Sequence, residues 1–270
     1  MRTLAVAALL ATATPASFLA AHQRTDGGFA EPGGKSEPEL TAWAVLGLVA
    51  AGKAPAGAAQ YLRSQKPPGD AGKLALRILA LRALGDSAQI LADRLDTYRR
   101  PSGRIGALID TTIWSVLALR AMDRPAGKRT VRYLIRRQHA SGGWGWYAGG
   151  SADSNDTAAA IQALRAAGVR GKPIRRGIRY LRRCRNRDGG FGLVRGRASD
   201  SQSTAWVLQA FVAAKRKPPR SAFRFLRRMK RKDGSYRYSA RYVTTPVFVT
   251  AQVLPALARR PFPLRSPSLS

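Results

Sequence analysis

Tyr133-Leu134-x3-Gln138-x3-Gly142-x-Trp144 decides the fold, because the same frame returns along the chain. It runs through Tyr180-Leu181-x3-Arg185-x3-Gly189-x-Phe191, Phe225-Leu226-x3-Lys230-x3-Gly234-x-Tyr236 and Phe18-Leu19-x3-Gln23-x3-Gly27-x-Phe29. Two weaker copies fill the gap. One starts at Tyr61-Leu62 and has Pro67-Pro68-Gly69 in place of its turn; the other runs from Leu95 through Gly103 to Ile105. Each copy is followed by a second segment, beginning at Thr41, Leu74, Thr112, Thr157, Thr204 and Thr250, at spacings of 33, 38, 45, 47 and 46 residues. A repeat of this period is a two-element unit that buries its apolar face only by stacking on its neighbours. Six such units predict twelve helices.

The two helix types differ in polarity, and this places them. Thr157-Ala-Ala-Ala-Ile-Gln-Ala-Leu and its counterparts are apolar almost all round, which requires burial on all sides. The Tyr-Leu helices are amphipathic, with Val131 and Leu134 on one side and Arg129, Arg132 and Arg136 on the other. Six buried helices inside six amphipathic ones satisfy both patterns. The chain is therefore expected to be all-α, apart from a short extended piece near Tyr236–Tyr242. In the Asp-Gly-Gly turns at 26–28 and 188–190 the Gly supplies a backbone conformation with positive φ. The next aromatic is driven between helices, and the Gln can reach backbone groups of the next unit.

This frame resembles the QW repeat of the prenyltransferase and squalene–oxidosqualene cyclase superfamily, and looks most like its small single-toroid bacterial members. The copy at 133–144 is a full match, and the resemblance covers nearly all of residues 18–258. It implies an α/α toroid, a fold shared by terpene cyclases, protein prenyltransferase β-subunits and cobalamin carriers of the intrinsic-factor type. Fold alone does not assign activity.

Class II cyclases of that family protonate an alkene or epoxide with Asp-x-Asp-Asp-Thr-Ala at the start of an inner helix. The matching stretch is Asp153-Ser154-Asn155-Asp156-Thr157-Ala158, with Asn155 where the family has its proton-carrying Asp. An amide is not a useful Brønsted acid, so any remaining catalysis would fall to Asp153 or Asp156. The plainer reading is N-capping, worth about 1 kcal/mol; Asp200-Ser-Gln-Ser-Thr204 repeats the pattern in the next unit. Asn155 is also a candidate ligand contact. Trp43, Trp114 and Trp206 recur two residues into inner helices, as inter-helix packing or as the wall of an apolar site. Trp144, Trp146 and Tyr147 precede the 153–157 segment and suggest a loop lid with further ligand contacts.

Prenyltransferases of the family hold zinc with Asp, Cys and His. One cysteine, Cys184, and two histidines, His22 and His139, give no such set; all three read as packing or surface residues. With no phosphate loop and no Gly-x-Ser-x-Gly elbow either, no metal and no cofactor is expected. The small β domain of cobalamin carriers is missing.

Of the 270 residues, 45% are hydrophobic, as expected of a chain that buries a core, but the net charge is +32. Acids concentrate at turns and helix starts. Bases fall on the outer helices, where Arg132/Arg136, Arg179/Arg183 and Arg224/Arg228 are in register on three consecutive units. Like charges at i,i+4 destabilise a helix slightly, so these pairs suggest a basic wall facing an anionic envelope surface, membrane or wall polymer. Nucleic acid fits less well, for want of basic–aromatic interleaving. Residues 1–17 read as a secretory signal with small residues at Ala11-Thr12-Ala13 and Thr14-Pro15-Ala16, giving a mature chain that starts near Phe18 and works outside the cytoplasm. Residues 259–270 read as a Pro/Ser-rich tail. The expected function is binding of a hydrophobic or isoprenoid-like ligand in a central apolar cavity, without classical class II cyclisation. The alternative is a diverged terpene cyclase or prenyltransferase-like enzyme.

Overall fold

Helices of the two expected kinds alternate in the computed structural model, which describes residues 13–264. The amphipathic ones are α1 (Pro15–Ala20), α3 (Ala58–Ser64), α5 (Gln89–Asp96), α7 (Lys128–Arg136), α9 (Lys172–Arg183) and α11 (Arg220–Met229). The apolar ones are α2 (Pro38–Ala50), α4 (Ala71–Ala83), α6 (Ile109–Ala121), α8 (Ser154–Ala166), α10 (Ser201–Ala213) and α12 (Pro246–Leu257). The apolar helices pack on one another in chain order, and α12 returns to α2, which closes an inner ring. The amphipathic helices lie outside that ring: α1, α3, α5, α7 and α9 each touch two inner helices, and α11 packs on α10. The chain is an α/α toroid. No strand forms among the described residues: the stretch expected to be extended near Tyr236–Tyr242 contributes only isolated bridges, Lys230 with Tyr236 and Asp200 with Ser239.

The repeated Thr has a specific task. Its Oγ1 accepts the backbone N–H of the aromatic or apolar residue that ends the turn. The pairs are Phe29–Thr41, Ile105–Thr112, Trp144–Thr157, Phe191–Thr204 and Tyr236–Thr250, at 2.8 to 3.1 Å. These side chains are buried in the gaps between inner and outer helices. Gln138 Nε2 bonds Gly142 within its own turn and Pro173 of the next unit, at 2.8 and 2.9 Å; Gln23 does the same with Gly27 and Ala56. Gly142 has φ of 95°. A Cβ there would stand 2.8 Å from the Arg176 carbonyl oxygen, so both backbone conformation and space require glycine.

Helix ends are satisfied between units, which fixes the ring. The first N–H groups of α6 donate to Trp146 O, that of α8 to Leu193 O and that of α10 to Tyr238 O, each in the loop of the next unit. At α12 the ring closes differently: Val247 N and Phe248 N donate to the Glu31 carboxylate, at 3.0 and 2.9 Å. At the opposite end, Arg82, Arg120 and Arg165 donate through Nε to Ala121 O, Ala166 O and Ala213 O of the next inner helix. All six inner helices leave through a left-handed residue. Gly52, Gly85 and Gly168 serve three units, and Asp123, Lys215 and Arg259 the others.

At the chain start, residues 1–12 of the expected signal lie outside the described residues. Thr14 is the N-cap of α1, accepting Ser17 N, and Leu19 is fully buried, so the expected boundary at residue 17 falls inside this helix. Of the expected tail at 259–270, residues 265–270 lie outside the described residues, and within the described part Phe262 and Leu264 are buried. Among the described residues, no helix is long and apolar enough to cross a membrane.

Candidate functional site

Every inner helix follows an outer helix that returns along the ring wall, so their N-termini gather at one mouth of the ring. Three side-chain layers succeed one another from that mouth inward. The outermost holds carboxyls. Asp153 is the N-cap of α8 and accepts Asp156 N at 2.8 Å; Asp200 caps α10, accepting Ser203 N at 2.6 Å and Ser203 Oγ at 2.8 Å. Capping thus accounts for Asp153 and Asp200. It does not account for Asp156, whose side chain is 9% exposed and hydrogen-bonds to both Asp153 and Asp110. Asp110, on α6, also bonds Trp114.

Burial, followed by the charges of Asp153 and Asp110, pushes Asp156 up to about 10. Burial raises Asp110 and Asp153 as well. Asp200 is pushed up to about 6, again by burial, against the hydrogen bonds it receives. Carboxyls joined by hydrogen bonds in a low-dielectric site cannot all ionise. Asp156 is therefore a neutral carboxylic acid at physiological pH, able to donate a hydrogen bond or a proton.

Trp43, Trp114 and Trp206 form the second layer. Their rings meet edge to face, with centroids 5.3 to 5.7 Å apart. Phe248 lies 6.0 Å from Trp43. Trp43 and Trp114 are partly exposed, whereas Trp206 is buried and donates its indole N–H to Gln252 Oε1. The sequence left open whether these rings pack or line a site. They pack on each other, and Trp43 and Trp114 keep part of their surface exposed.

The third layer comes from the chain's end. Phe262 meets all three tryptophans at a tilt, with centroids 5.7 to 6.3 Å away, and its backbone N–H donates to Gln162 Oε1 at 2.8 Å. Arg260, just beyond α12, donates to Val49 O of the neighbouring α2. The centre of the toroid is thus filled from below, and a ligand approaching the tryptophans does so from the carboxyl mouth. Gln209, fully buried on α10 three residues beyond Trp206, has no partner for its side-chain amide.

The other expected residues are divided. Asn155 lies at the mouth, half-buried. Trp144 does not belong to a lid: it is fully buried and donates its indole N–H to Leu134 O at 2.8 Å. Trp146 and Tyr147 are 56% and 54% exposed and touch each other. Arg132, Arg136, Arg179, Arg183, Arg224 and Arg228 are all exposed on α7, α9 and α11. Cys184 is buried at the end of α9. His22 bonds Phe18 O and His139 bonds Ser141. Among the described residues, no group of three or more His, Cys, Asp or Glu is placed to hold a metal ion.

Sequence reading missed Asp110 and Phe262. Asp110 stands two residues before Thr112, the register that Asn155 holds before Thr157. Comparing that register unit by unit would have found a carboxyl on α6 where α8 has an amide.

The family model for the prenyltransferase alpha-alpha toroid domain matches residues 98–233, 136 of 270 residues. The type II terpene cyclase MstE from Scytonema superposes with a TM-score of 0.68 at 19% identity, over 91% of this chain and 96% of that one. A variant of it was solved with geranylgeranyl dihydroxybenzoate as substrate. The Candida albicans protein geranylgeranyltransferase-I, complexed with GGPP, gives 0.60 at 12% identity, over 82% of this chain and 83% of that one. A D-mannose isomerase gives 0.68 at 11% identity, over 91% and 95%. At these identities the likeness is one of fold. No curated protein sequence matches the chain.

Proposed function

We propose, from the premise that this chain belongs to the prenyltransferase alpha-alpha toroid domain family, that it binds a hydrophobic, isoprenoid-like ligand at the carboxyl mouth of its inner ring. The ligand rests on Trp43 and Trp114, beneath Asp156. The observation that carries this reading is the layered mouth: two partly exposed indoles under a neutral acid. Indole faces favour polarisable alkenes, and a protonated carboxyl does not repel them as a carboxylate would. The isoprenoid ligands of the terpene cyclase and the geranylgeranyltransferase support the choice of ligand class. Classical class II cyclisation is not part of this reading, because the register of the family's proton donor on α8 is Asn155. A titration of the protein with geranylgeraniol, read by tryptophan emission, tests it. Saturable quenching that is lost in Trp43→Ala/Trp114→Ala supports the site; quenching unchanged in that variant refutes it.

A second reading rests on Asp156 alone. A buried carboxyl kept protonated at physiological pH is a general acid aimed at the mouth, so the chain is a diverged cyclase if that proton reaches a bound alkene. Incubation with squalene or a geranylgeranyl-bearing substrate, with products separated by gas chromatography, decides the point. Cyclic product made by the unmodified chain and abolished by Asp156→Asn establishes the enzyme; no product in either leaves the binding reading.

The chain works outside the cytoplasm, at the cell envelope. Of the two small-residue sites, cleavage after Ala13 spares the Thr14 cap of α1 and cleavage after Ala16 splits the helix. N-terminal sequencing of secreted protein that begins at Phe18 would contradict the first. The exposed arginines of α7, α9 and α11 face an anionic surface there. Co-sedimentation with anionic vesicles should fall as salt rises, since exposed charges are screened over about 8–10 Å at physiological ionic strength.

A further inference from the structure

At the end of the ring opposite the carboxyl mouth, a groove of about 530 Å³ opens between α9 and the segment joining α10 to α11. Arg175, Arg179 and Arg182 line it from one face of α9, at i, i+4 and i+7. Arg170 enters from the α8–α9 connection, and Lys215 and Arg216 from the facing segment. Its floor is apolar, built on Ile174 and Ile178. Arg165 lines it as a seventh cation, held by Ala213 O and Val169 O; no acid lines the groove, and among the described residues none forms an ion pair with these cations.

We propose that this groove binds a ligand carrying two or more linked phosphate groups. Like charges around one concavity repel one another, and no carboxylate among the described residues pairs with them; what they meet on the protein is helix-end carbonyls and, at Arg182, the Phe211 ring. A monoanion would neutralise one cation, whereas linked phosphates bring several charges in a compact volume. Guanidinium forks match phosphate oxygens in bidentate pairs. Lys215, like Asp123 and Arg259 at the ends of α6 and α12, is a residue with a Cβ that ends an inner helix in a left-handed conformation. It holds the left-handed position, φ 54°, that Gly52, Gly85 and Gly168 hold at the ends of α2, α4 and α8. A residue with a Cβ is strained there, and here the strained position carries a cation into the groove. The apolar floor suits an ester whose phosphates are attached to a hydrocarbon, so the same chemistry is offered by a free polyphosphate or by a lipid headgroup. The proposal is independent of any ligand at the tryptophan mouth, and it narrows the anionic-surface reading to one groove.

The test is titration calorimetry with inorganic diphosphate and tripolyphosphate at constant ionic strength, with sulfate as the comparison. Two charge-matched variants accompany the unmodified chain: Arg175→Gln/Arg179→Gln/Lys215→Gly in the groove and Arg132→Gln/Arg136→Gln/Arg224→Gln on the wall. The unmodified protein should bind one tripolyphosphate, more tightly than sulfate. The groove variant should bind roughly tenfold more weakly, about one order of magnitude in Kd, and the wall variant nearly as the unmodified chain. The single change Lys215→Gly should raise the melting temperature while weakening binding, a combination that a purely structural lysine would not give. Equal loss in the two triple variants, or sulfate bound as well as tripolyphosphate, overturns the groove. Vesicles containing diacylglycerol pyrophosphate distinguish the source: vesicle binding that tripolyphosphate displaces assigns the site to a headgroup, and binding of free polyphosphate alone assigns it to a soluble ligand. Both support the phosphate chemistry. Vesicle binding lost only in the wall variant, together with tripolyphosphate binding that the groove variant leaves unchanged, keeps the anionic-surface reading standing and overturns this one.

Discussion

Asp156 carries the strongest residue-level consequence. A carboxyl kept protonated by burial holds a proton in the folded chain that the unfolded chain releases above a pH of about 4. Folded stability attributable to it is therefore fully present at acid pH and is lost as pH rises from there toward the raised value. Asp156→Asn removes this dependence while leaving an amide that can donate to Asp110 and Asp153. Thermal melts should show the variant more stable than the parent at pH 7, by about 3 °C or more, with the difference vanishing near pH 4; a parent more stable than the variant at pH 7 would mean that Asp156 is ionised. The sequence displayed this residue and its cap partner Asp153, because both belong to one contiguous motif. Asp110 was missed because its contact with Asp156 joins the neighbouring helices α6 and α8, and such a pairing shows only when the register before each Thr is compared between units. Trp144 was read toward a lid for the converse reason. Its place beside Trp146 in the chain says nothing of the turn that sends Trp144 inward and leaves Trp146 outside.

At the scale of elements, the repeat is a hydrogen-bonding device as much as a hydrophobic one. Thr157→Val keeps the shape of the side chain and strands the buried Trp144 N–H, which should cost about 1–3 kcal/mol in denaturant unfolding. An unaffected midpoint would show that the motif acts only through packing. Gly142→Ala combines a left-handed backbone with a Cβ 2.8 Å from Arg176 O and should cost about 2–4 kcal/mol. These positions were legible because glycine, threonine and the aromatic return in phase. Arg82, Arg120 and Arg165 also recur, each followed by Ala, yet they merged into the general excess of positive charge. Their partners are carbonyl oxygens at the ends of neighbouring helices, and a backbone acceptor has no letter in a sequence. Part of the charge is thus accounted for by helix ends, where cations are favoured.

At the scale of the whole molecule, closure of the ring depends on the two ends of the chain. Glu31→Ala removes the carboxylate that caps α12 and should cost about 1–2 kcal/mol, visible in a melt. Six hairpins in two rings were legible because polarity separates inner from outer helices. Filling of the centre was not, since Phe262 lies outside the repeat in a stretch whose composition resembles a linker. Its burial against three tryptophans is a tertiary fact alone. The account's central claim is that the mouth above those tryptophans is the ligand site. Native mass spectrometry of the protein purified from its own host tests it most directly, with Trp43→Ala/Trp114→Ala prepared alongside. The account predicts a bound species of isoprenoid mass on the unmodified chain, restored by added geranylgeraniol after stripping and missing from the variant. Retention of the same species by the variant, or an unmodified chain that carries none and takes up none, would contradict it.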